Sequence, residues 1–302
     1  MTTKIRKILI LVGQISSNKE TLTRHLKDKL SGSADVTLAN ISDLYFDIDQ
    51  KNVYVEINGT PITDFDLVYF RSVGTHSVLA ATLSICLTSL KINFMDTIWA
   101  EIRPVGNKFT SLVKLAIDHL PIFRSIYIAG NNVEKNKGKI VDKLGLPLIA
   151  KELSTQRGRG VYKIAEVADF DKLPEKENMQ YLFQEFVDFD TEYRLLVLGE
   201  DVRVWEKKVV TAPGEFRHNV SLGATEEFLA IKKIPQELKE LAIKSAKSLG
   251  LQVAGVDISI EKQGLGYHLI EVNRGPGFTY DDKLSTEMDE LAKFLDREAN
   301  KK

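Results

Sequence analysis

Apolar and polar positions alternate along the chain in short periods, and the periods change from two to about 3.6 and back several times. Ile8 to Val12 is a strand-like run, and Ser17 with Glu20 forms an S-x-x-E capping box that opens a helix to about Leu30. Asp35 to Ile41, Val53 to Ile57 with the Asn58-Gly59 turn, and Asp66 to Val73 add strands. His76 to Leu90 reads as a helix and Ile92 to Met95 as another strand. This β-α-β beginning predicts a small α/β unit with a parallel sheet. Asn107 to Leu120 then places Leu112, Leu115, Ala116 and Leu120 on one helical face, closed by Pro121. Strands follow at Leu146 to Leu153 and Val161 to Val167, joined by the polar loop S-T-Q-R-G-R-G; the lysine-rich stretch Glu134 to Lys143 reads as a solvated helix face. A third unit starts near Asn178 with the strand Tyr181 to Val187 and a hairpin from Tyr193 to Val210 around Gly199. Its helix, Pro235 to Leu249, buries Leu238, Leu241, Ala242, Ser245 and Leu249 and is capped by Gly250. The domains expected are therefore 1–96, 97–177 and 178–302.

The most specific chemistry lies in the last hairpin. A-G-V-D-I-S-I and I-E-V-N-R-G-P-G flank a reversal around Lys262 to Gly266. If Asp257 lies opposite Glu271, then Val256, Ile258 and Ile260 meet Val272, Ile270 and His268 on an apolar face. The other face carries Asp257, Glu271 and Asn273, with the first two Cβ atoms about 5 Å apart. Two carboxylates that close repel, so either one is protonated or a cation sits between them, and an all-oxygen set suits a hard ion such as Mg²⁺. The plain alternative is a surface hairpin whose acids face water.

Three weaker signals accompany it. Lys151 ends a strand just before S-T-Q-R-G-R-G, where glycines allow backbone N–H groups to approach anionic oxygens and a lysine adds a point charge. Glu185 is an acid inside the apolar run F-Q-E-F-V, able to read an exocyclic amine. Arg217 and Asn219, two apart in E-F-R-H-N, project from one side of an extended chain. A bare turn, a plain strand and a solvated surface are the corresponding unremarkable readings.

Bulk composition narrows the classes. With 302 residues, 43% hydrophobic and 27% charged, the chain is an ordinary globular sequence with room for two or three cores. A formal net charge of −1 gives no global footprint for nucleic acid or anionic membrane, so neither is an expected partner. A lone cysteine, Cys86 in the apolar run Val78 to Leu87, excludes an internal disulfide and reads as a buried inert thiol. That run is too short to span a bilayer and the N-terminus reads as a first strand, which makes a cytoplasmic location the expectation. The five histidines show no metal-ligand spacing, and no G-x-S-x-G nucleophile motif is present.

Taken in order, F-D-L-V-Y-F-R-S-V-G-T, N-K-F-T-S-L, L-I-A-K-E-L-S-T-Q-R-G-R-G-V, Q-E-F-V, E-Y-R-L-L-V-L-G, F-R-H-N, A-G-V-D-I and E-V-N-R-G-P-G-F resemble the ATP-grasp superfamily. The likeness covers nearly the whole chain and leans to the ribosomal-protein glutamate ligase (RimK-like) branch of carboxylate–amine ligases. It implies an α/β (α+β) ATP-grasp fold: an N-terminal parallel-sheet domain followed by two α+β subdomains enclosing a nucleotide cleft. It implies that Lys108 and Lys151 contact nucleotide phosphates, under a loop that includes Thr155, Gln156, Gly158 and Gly160. Glu185 and the Phe186-Val187 backbone would hold adenine and Glu192 the ribose. Asp257, Glu271 and Asn273 would hold two Mg²⁺ ions, for which Mn²⁺ can substitute, and Arg217 and Asn219 would face the γ-phosphoryl group. The implied reaction is amide formation through an acyl phosphate, from small-molecule or peptide carboxylate and amine substrates, with homo-oligomerisation by family analogy. A phosphotransferase acting on a hydroxyl is the alternative on the same scaffold. Glu192 stands where the branch usually has aspartate, Ala224 where a second glycine is common, and T-Y-D-D-K-L after Phe278 replaces the expected run near the acceptor. Arg71, Arg274, Tyr280 and Lys283 are further candidates for facing the substrates.

Overall fold

In the computed structural model, which describes residues 5–101, 107–155, 160–174, 179–209, 225–261, 266–281 and 283–300, the run Leu9 to Val12 is almost wholly buried. The reason is its central place: β1 (Arg6–Val12) lies between two parallel neighbours, β2 (Ala34–Asn40) and β6 (Leu67–Phe70), and both its faces are covered. The chain divides into two units, the first comprising residues 1–113, 124–154 and 162–185, the second residues 114–123, 155–161 and 186–302.

The first unit begins β1, α1 (Ser17–Lys29), β2 (Ala34–Asn40), β3 (Leu44–Ile48), β4 (Val53–Ile57), β5 (Thr60–Pro61), β6 (Leu67–Phe70), α2 (Ser77–Ser89), β7 (Asn93–Met95) and α3 (Ile98–Glu101). A four-stranded parallel sheet of order β2-β1-β6-β7 follows from it, as the β-α-β pattern predicts. The capping box at Ser17 does not form. The helix starts one residue earlier, so Ser16 is its N-cap and its carbonyl takes the Lys19 and Glu20 N–H groups at 2.9 Å. Helix α2 is apolar nearly all round and correspondingly buried, Cys86 included; burial pushes that thiol up to about 12, which leaves it inert.

Val53 to Ile57 belongs elsewhere than the parallel sheet. It pairs antiparallel with β3, a strand the periodicity reading missed, and both join a seven-stranded sheet of order β10-β9-β11-β8-β3-β4-β5. The remaining members are β8 (Ser125–Ala129), β9 (Leu148–Glu152), β10 (Val161–Ile164) and β11 (Gln180–Glu185), with α4 (Lys108–Ile117) ahead of β8 and α5 (Val133–Leu144) between β8 and β9 in sequence. One sheet face carries Phe46 and Tyr127, directly opposite one another, and Phe109 of α4 stacks on Tyr127 at 4.2 Å and meets Phe46 edge-on at 4.9 Å. The other face packs Ile126, Ile128, Ala150, Tyr181 and Phe183 with Ile140 of α5.

The second unit is built on a five-stranded sheet of order β14-β13-β12-β15-β16. Its members are β12 (Phe189–Leu198), β13 (Asp201–Val209), β14 (Thr225–Leu229), β15 (Val253–Glu261) and β16 (Tyr267–Asn273), all paired antiparallel. Helices α6 (Gln236–Ser248) and α7 (Glu287–Ala299) complete it. The expected apolar stripe of α6 is buried through Leu238, Leu241, Ala242 and Ser245, and Gly250 follows it at φ 69° as the left-handed terminator. Phe294 of α7 packs with Leu196, Leu198 and Val204, covering one end of one sheet face. The rest of that face is charged. Among the described residues no helix is long and apolar enough to cross a membrane.

Candidate functional site

Strand alternation assembles the charged face. Around the tight turn at Gly199, Glu192 of β12 lies opposite Lys208 of β13 and Arg194 opposite Glu206. On the other side of β12, Ser259 and Asp257 of β15 lie opposite Glu192 and Arg194, and Glu271 of β16 lies opposite Asp257. Residues directly opposite in an antiparallel pair share a face, so all eight side chains, with Asn273 two residues beyond Glu271, point the same way. The expected pairing of Asp257 with Glu271 is present. The apolar partners expected beside it differ: Val256 meets Val272, but Ile258 meets Leu269 and Ile260 meets Tyr267. A bulge between Asp257 and Ile258 leaves Ile270 as the extra residue, and such an insertion shifts every pair beyond it while bending the strand.

Asp257 is 4% exposed and carries four donors. Arg194 Nε and Nη2 donate to its two oxygens at 2.9 and 3.1 Å, Lys208 Nζ donates to Oδ1 at 2.9 Å, and Asn273 Nδ2 donates to Oδ2 at 3.1 Å. Lys208 also donates a short bond to Glu192. Burial raises the carboxyl pKa of Asp257, but Lys208 and Arg194 outweigh it and hold the group below its ordinary range. Acids exceed cations on this face, and the surplus holds protons. Burial pushes Glu192 up to about 7 against the pull of Lys208, and Glu206 up to about 8 with Glu226 and Asp257 adding to it. Among the described residues, Glu206 Oε1 is buried without a hydrogen-bond partner.

This excess of carboxylate suits a divalent cation. Asp257, Glu271 and Asn273 are oxygen donors on one face, the class that Mg²⁺ accepts. A cation on Asp257 would replace one of its present donors, and Asn273 offers its amide oxygen after rotation about its terminal bond. No group of three His, Cys, Asp or Glu side chains is clustered at metal-binding range among the described residues.

In the first unit, Lys151 is on β9 opposite Leu182, itself opposite Tyr127, so it shares the sheet face on which Phe109 packs. Lys108 opens α4, whose Phe109 sits on that face. Lys151 Nζ donates to Gln184 Oε1 at 2.6 Å, and Gln184 Nε2 donates to Ser125 Oγ at 3.0 Å. Glu185 follows in β11 on the alternate side; its Oε1 accepts the Arg124 N–H at 2.8 Å. Thr155 and Gly160 flank a loop whose Gln156 and Gly158 lie outside the described residues, as do Arg217 and Asn219. Phe186 and Val187 are half-buried after β11. Arg71, Arg274, Tyr280 and Lys283 are all exposed.

Sequence reasoning missed Arg194, Glu206 and Lys208, because charges alternating with Leu and Val along a strand carry no local mark of burial. The signal was available. A turn at Gly199 pairs Glu192 with Lys208 and Arg194 with Glu206, two acid–base pairs side by side on one face.

Residues 105–295 match the model of the RimK-like ATP-grasp domain. A protein of Shewanella pealeana named probable alpha-L-glutamate ligase is 29% identical over 290 residues, 90% of this chain and 59% of that one, so the chain spans less than two thirds of that relative. A Coxiella burnetii protein of the same name is 31% identical over 277 residues, 87% of each chain. Among solved structures, the ATP-grasp ligase PsnB complexed with minimal precursor superposes with a TM-score of 0.51 at 18% identity, over 97% of this chain and 99% of that one. That enzyme has also been seen with Mg and ADP. Identity this low speaks for the fold alone, whereas the domain match and the Coxiella relative speak for descent. The chain has the ATP-grasp fold and belongs to the RimK-like ATP-grasp family.

Proposed function

We propose that the protein is an ATP- and Mg²⁺-dependent ligase that joins a carboxylate to an amine through an acyl phosphate, releasing ADP and phosphate. The observation that carries this reading is the buried face where Asp257 lies opposite Glu271 beside Asn273, Arg194 and Lys208, in a chain of this family. The relatives' name makes L-glutamate the first amine substrate to test, on a peptide or small-molecule carboxylate.

A carboxylate is a poor acylating agent at neutral pH, and its phosphorylation supplies the leaving group that an amine displaces. Lys108 and Lys151 neutralise phosphate oxygens from fixed positions on one sheet face, with backbone N–H groups of Thr155, Gln156, Gly158 and Gly160 contributing donors. Glu185, the last residue of β11, takes the exocyclic amine of adenine at the strand end, where the base passes the edge of the sheet, and its Oε1 also accepts the Arg124 N–H, while the Phe186-Val187 backbone lines the base. Glu192 takes the ribose hydroxyls. Asp257, Glu271 and Asn273 hold Mg²⁺, which when bound neutralises phosphoryl oxygens. Arg217 and Asn219 face the γ-phosphoryl group and the acyl phosphate made from it. Arg194 and Lys208 keep Asp257 ionised and in place, and so act as positioning residues.

Two measurements test the reading. With ATP, Mg²⁺ and the carboxylate substrate, hydroxylamine traps a hydroxamate, and phosphate appears in step with ADP once the amine is present. A stable phosphorylated alcohol with no hydroxamate would establish a kinase instead. Glu271→Gln replaces a carboxylate oxygen by an amide donor that cannot face a cation, so ADP release falls by about 100-fold or more while the melting temperature stays nearly unchanged. Retained Mg²⁺-dependent turnover in this variant would remove Glu271 from the metal site.

A further inference from the structure

A polar cavity of 360 Å³, within the size range of small-molecule sites, lies in the first unit between the β3–β4 hairpin and α5. It is lined by Tyr45, Asp47 and Glu56 of the hairpin, Arg124 before β8, and Lys139 and Lys143 of α5; Asp49 and Asn52 complete it at the hairpin turn. Tyr45 and Asp47 alternate with Phe46, which pairs with Tyr127 on the face shared by Lys151. The seven-stranded sheet therefore stands between the cavity and Lys151.

The charges in the cavity balance and are largely paired. Arg124 forks onto Asp47 at 3.1 and 2.9 Å, and Glu56 takes Lys139 at 2.5 Å and the Tyr54 hydroxyl at 2.9 Å. Two complementary groups are left over. Tyr45 is 4% exposed, and its buried hydroxyl has no hydrogen-bond partner among the described residues. Asp49 uses only Oδ1, which accepts the Lys51 and Asn52 N–H groups at 2.7 and 2.8 Å. Burial, with Asp47 and Glu56 nearby, drives the Tyr45 phenol far above its ordinary range, so it is a donor in want of an acceptor. That acceptor sits beside cations: Lys139 Nζ is 3.8 Å from the Tyr45 ring centre, and Lys143 reaches Asp47 only at 3.8 Å. A carboxylate suits this end. At the other, Asp49 Oδ2 suits an ammonium. A ligand of net charge would unbalance three acids and three bases, whereas a zwitterion preserves the balance.

We infer that this cavity binds a small amino-carboxylate zwitterion, a free α-amino acid, at a site apart from the face that carries Lys151. The inference does not rest on the ligase reading. An amino acid held here is an effector, because the sheet keeps it from any chemistry on the Lys151 face.

The test is calorimetric titration of the full chain, free of nucleotide and metal, with individual free amino acids. At least one saturates. Its N-acetyl and amide forms, each lacking one charge, bind about ten-fold weaker or worse, as expected for one lost charged hydrogen bond. Tyr45→Phe, which removes one oxygen, and Asp49→Asn, at the hairpin turn, each weaken binding by a similar factor, and Lys151→Met leaves it unchanged. Absence of binding by every amino acid, equal binding of the blocked forms, or loss in Lys151→Met with none in Tyr45→Phe or Asp49→Asn overturns the inference. Loss of ADP release in Lys151→Met bears on the ligase reading alone.

Discussion

Arg124 with Asp47 and Arg194 with Asp257 make the same two-bond fork in two different sheets, with all four distances between 2.9 and 3.1 Å. Their surroundings differ. Arg124 is 33% exposed at the edge of a cavity where acids and bases are equal in number. The side chains of Arg194 and Asp257 are 23% and 5% exposed, share Lys208, and sit among the further acids Glu192, Glu206 and Glu271. One geometry thus serves two ends. At the open edge it settles charge and leaves uncharged or single-oxygen groups to recognise a ligand; on the covered face it leaves a surplus of acid that holds protons and favours a cation.

Removing the acid from each fork separates the two most sharply. Asp257→Asn strips the charge partner from two buried cations and costs about 3 kcal/mol, the lower end for a broken buried pair because Glu192 gives up its proton and offsets part of the loss. Urea unfolding reads this directly. Gly255→Ala tests how tightly the covered face is built: a Cβ there would lie 2.8 Å from Pro276 Cβ. The expected cost is about 1–3 kcal/mol, from overpacking against a rigid ring. Asp47→Asn, with Arg124 a third exposed and screened by solvent, costs about 1 kcal/mol or less. If Asp47→Asn matched Asp257→Asn, the contrast between the forks would fail.

A last effect depends on pH. Folded Glu206 holds its proton to about 8 against 4.5 for an ordinary glutamate, so the native state binds more protons in between. Stability from this group is complete below about 4.5 and is lost as pH rises through 8. Glu206→Gln has no proton to lose. In EDTA it should melt level with the parent near pH 5 and above it at pH 9, the gap widening as pH rises through the interval. A constant difference across that range would place the proton elsewhere.

Much of this was legible in the order of residues. The strand-like runs Ile8 to Val12 and Asp35 to Ile41, on either side of the helical period that opens at Ser17, specify a parallel βαβ start, and the continuously apolar first run marks a strand covered on both faces. The pairing of Asp257 with Glu271 was legible for a similar reason: a slip of one residue would turn Val256 and Ile258 to the wrong face. Periodicity could not show that β3 and β4 leave the first sheet for a second, since partner choice between distant strands leaves no mark on local spacing. Nor could it show the bulge at Ile270, which depends on how β16 bends.

Charge was the larger gap. Local sequence determined where acids and bases stand along each strand, and hence which of them share a face. Only the tertiary structure decided which became buried: Lys208 and Glu206 are 4% and 3% exposed, while Lys207 between them is partly open. Burial arises from elements far away in sequence, and it converts an ordinary run of charged strand residues into a network that holds protons.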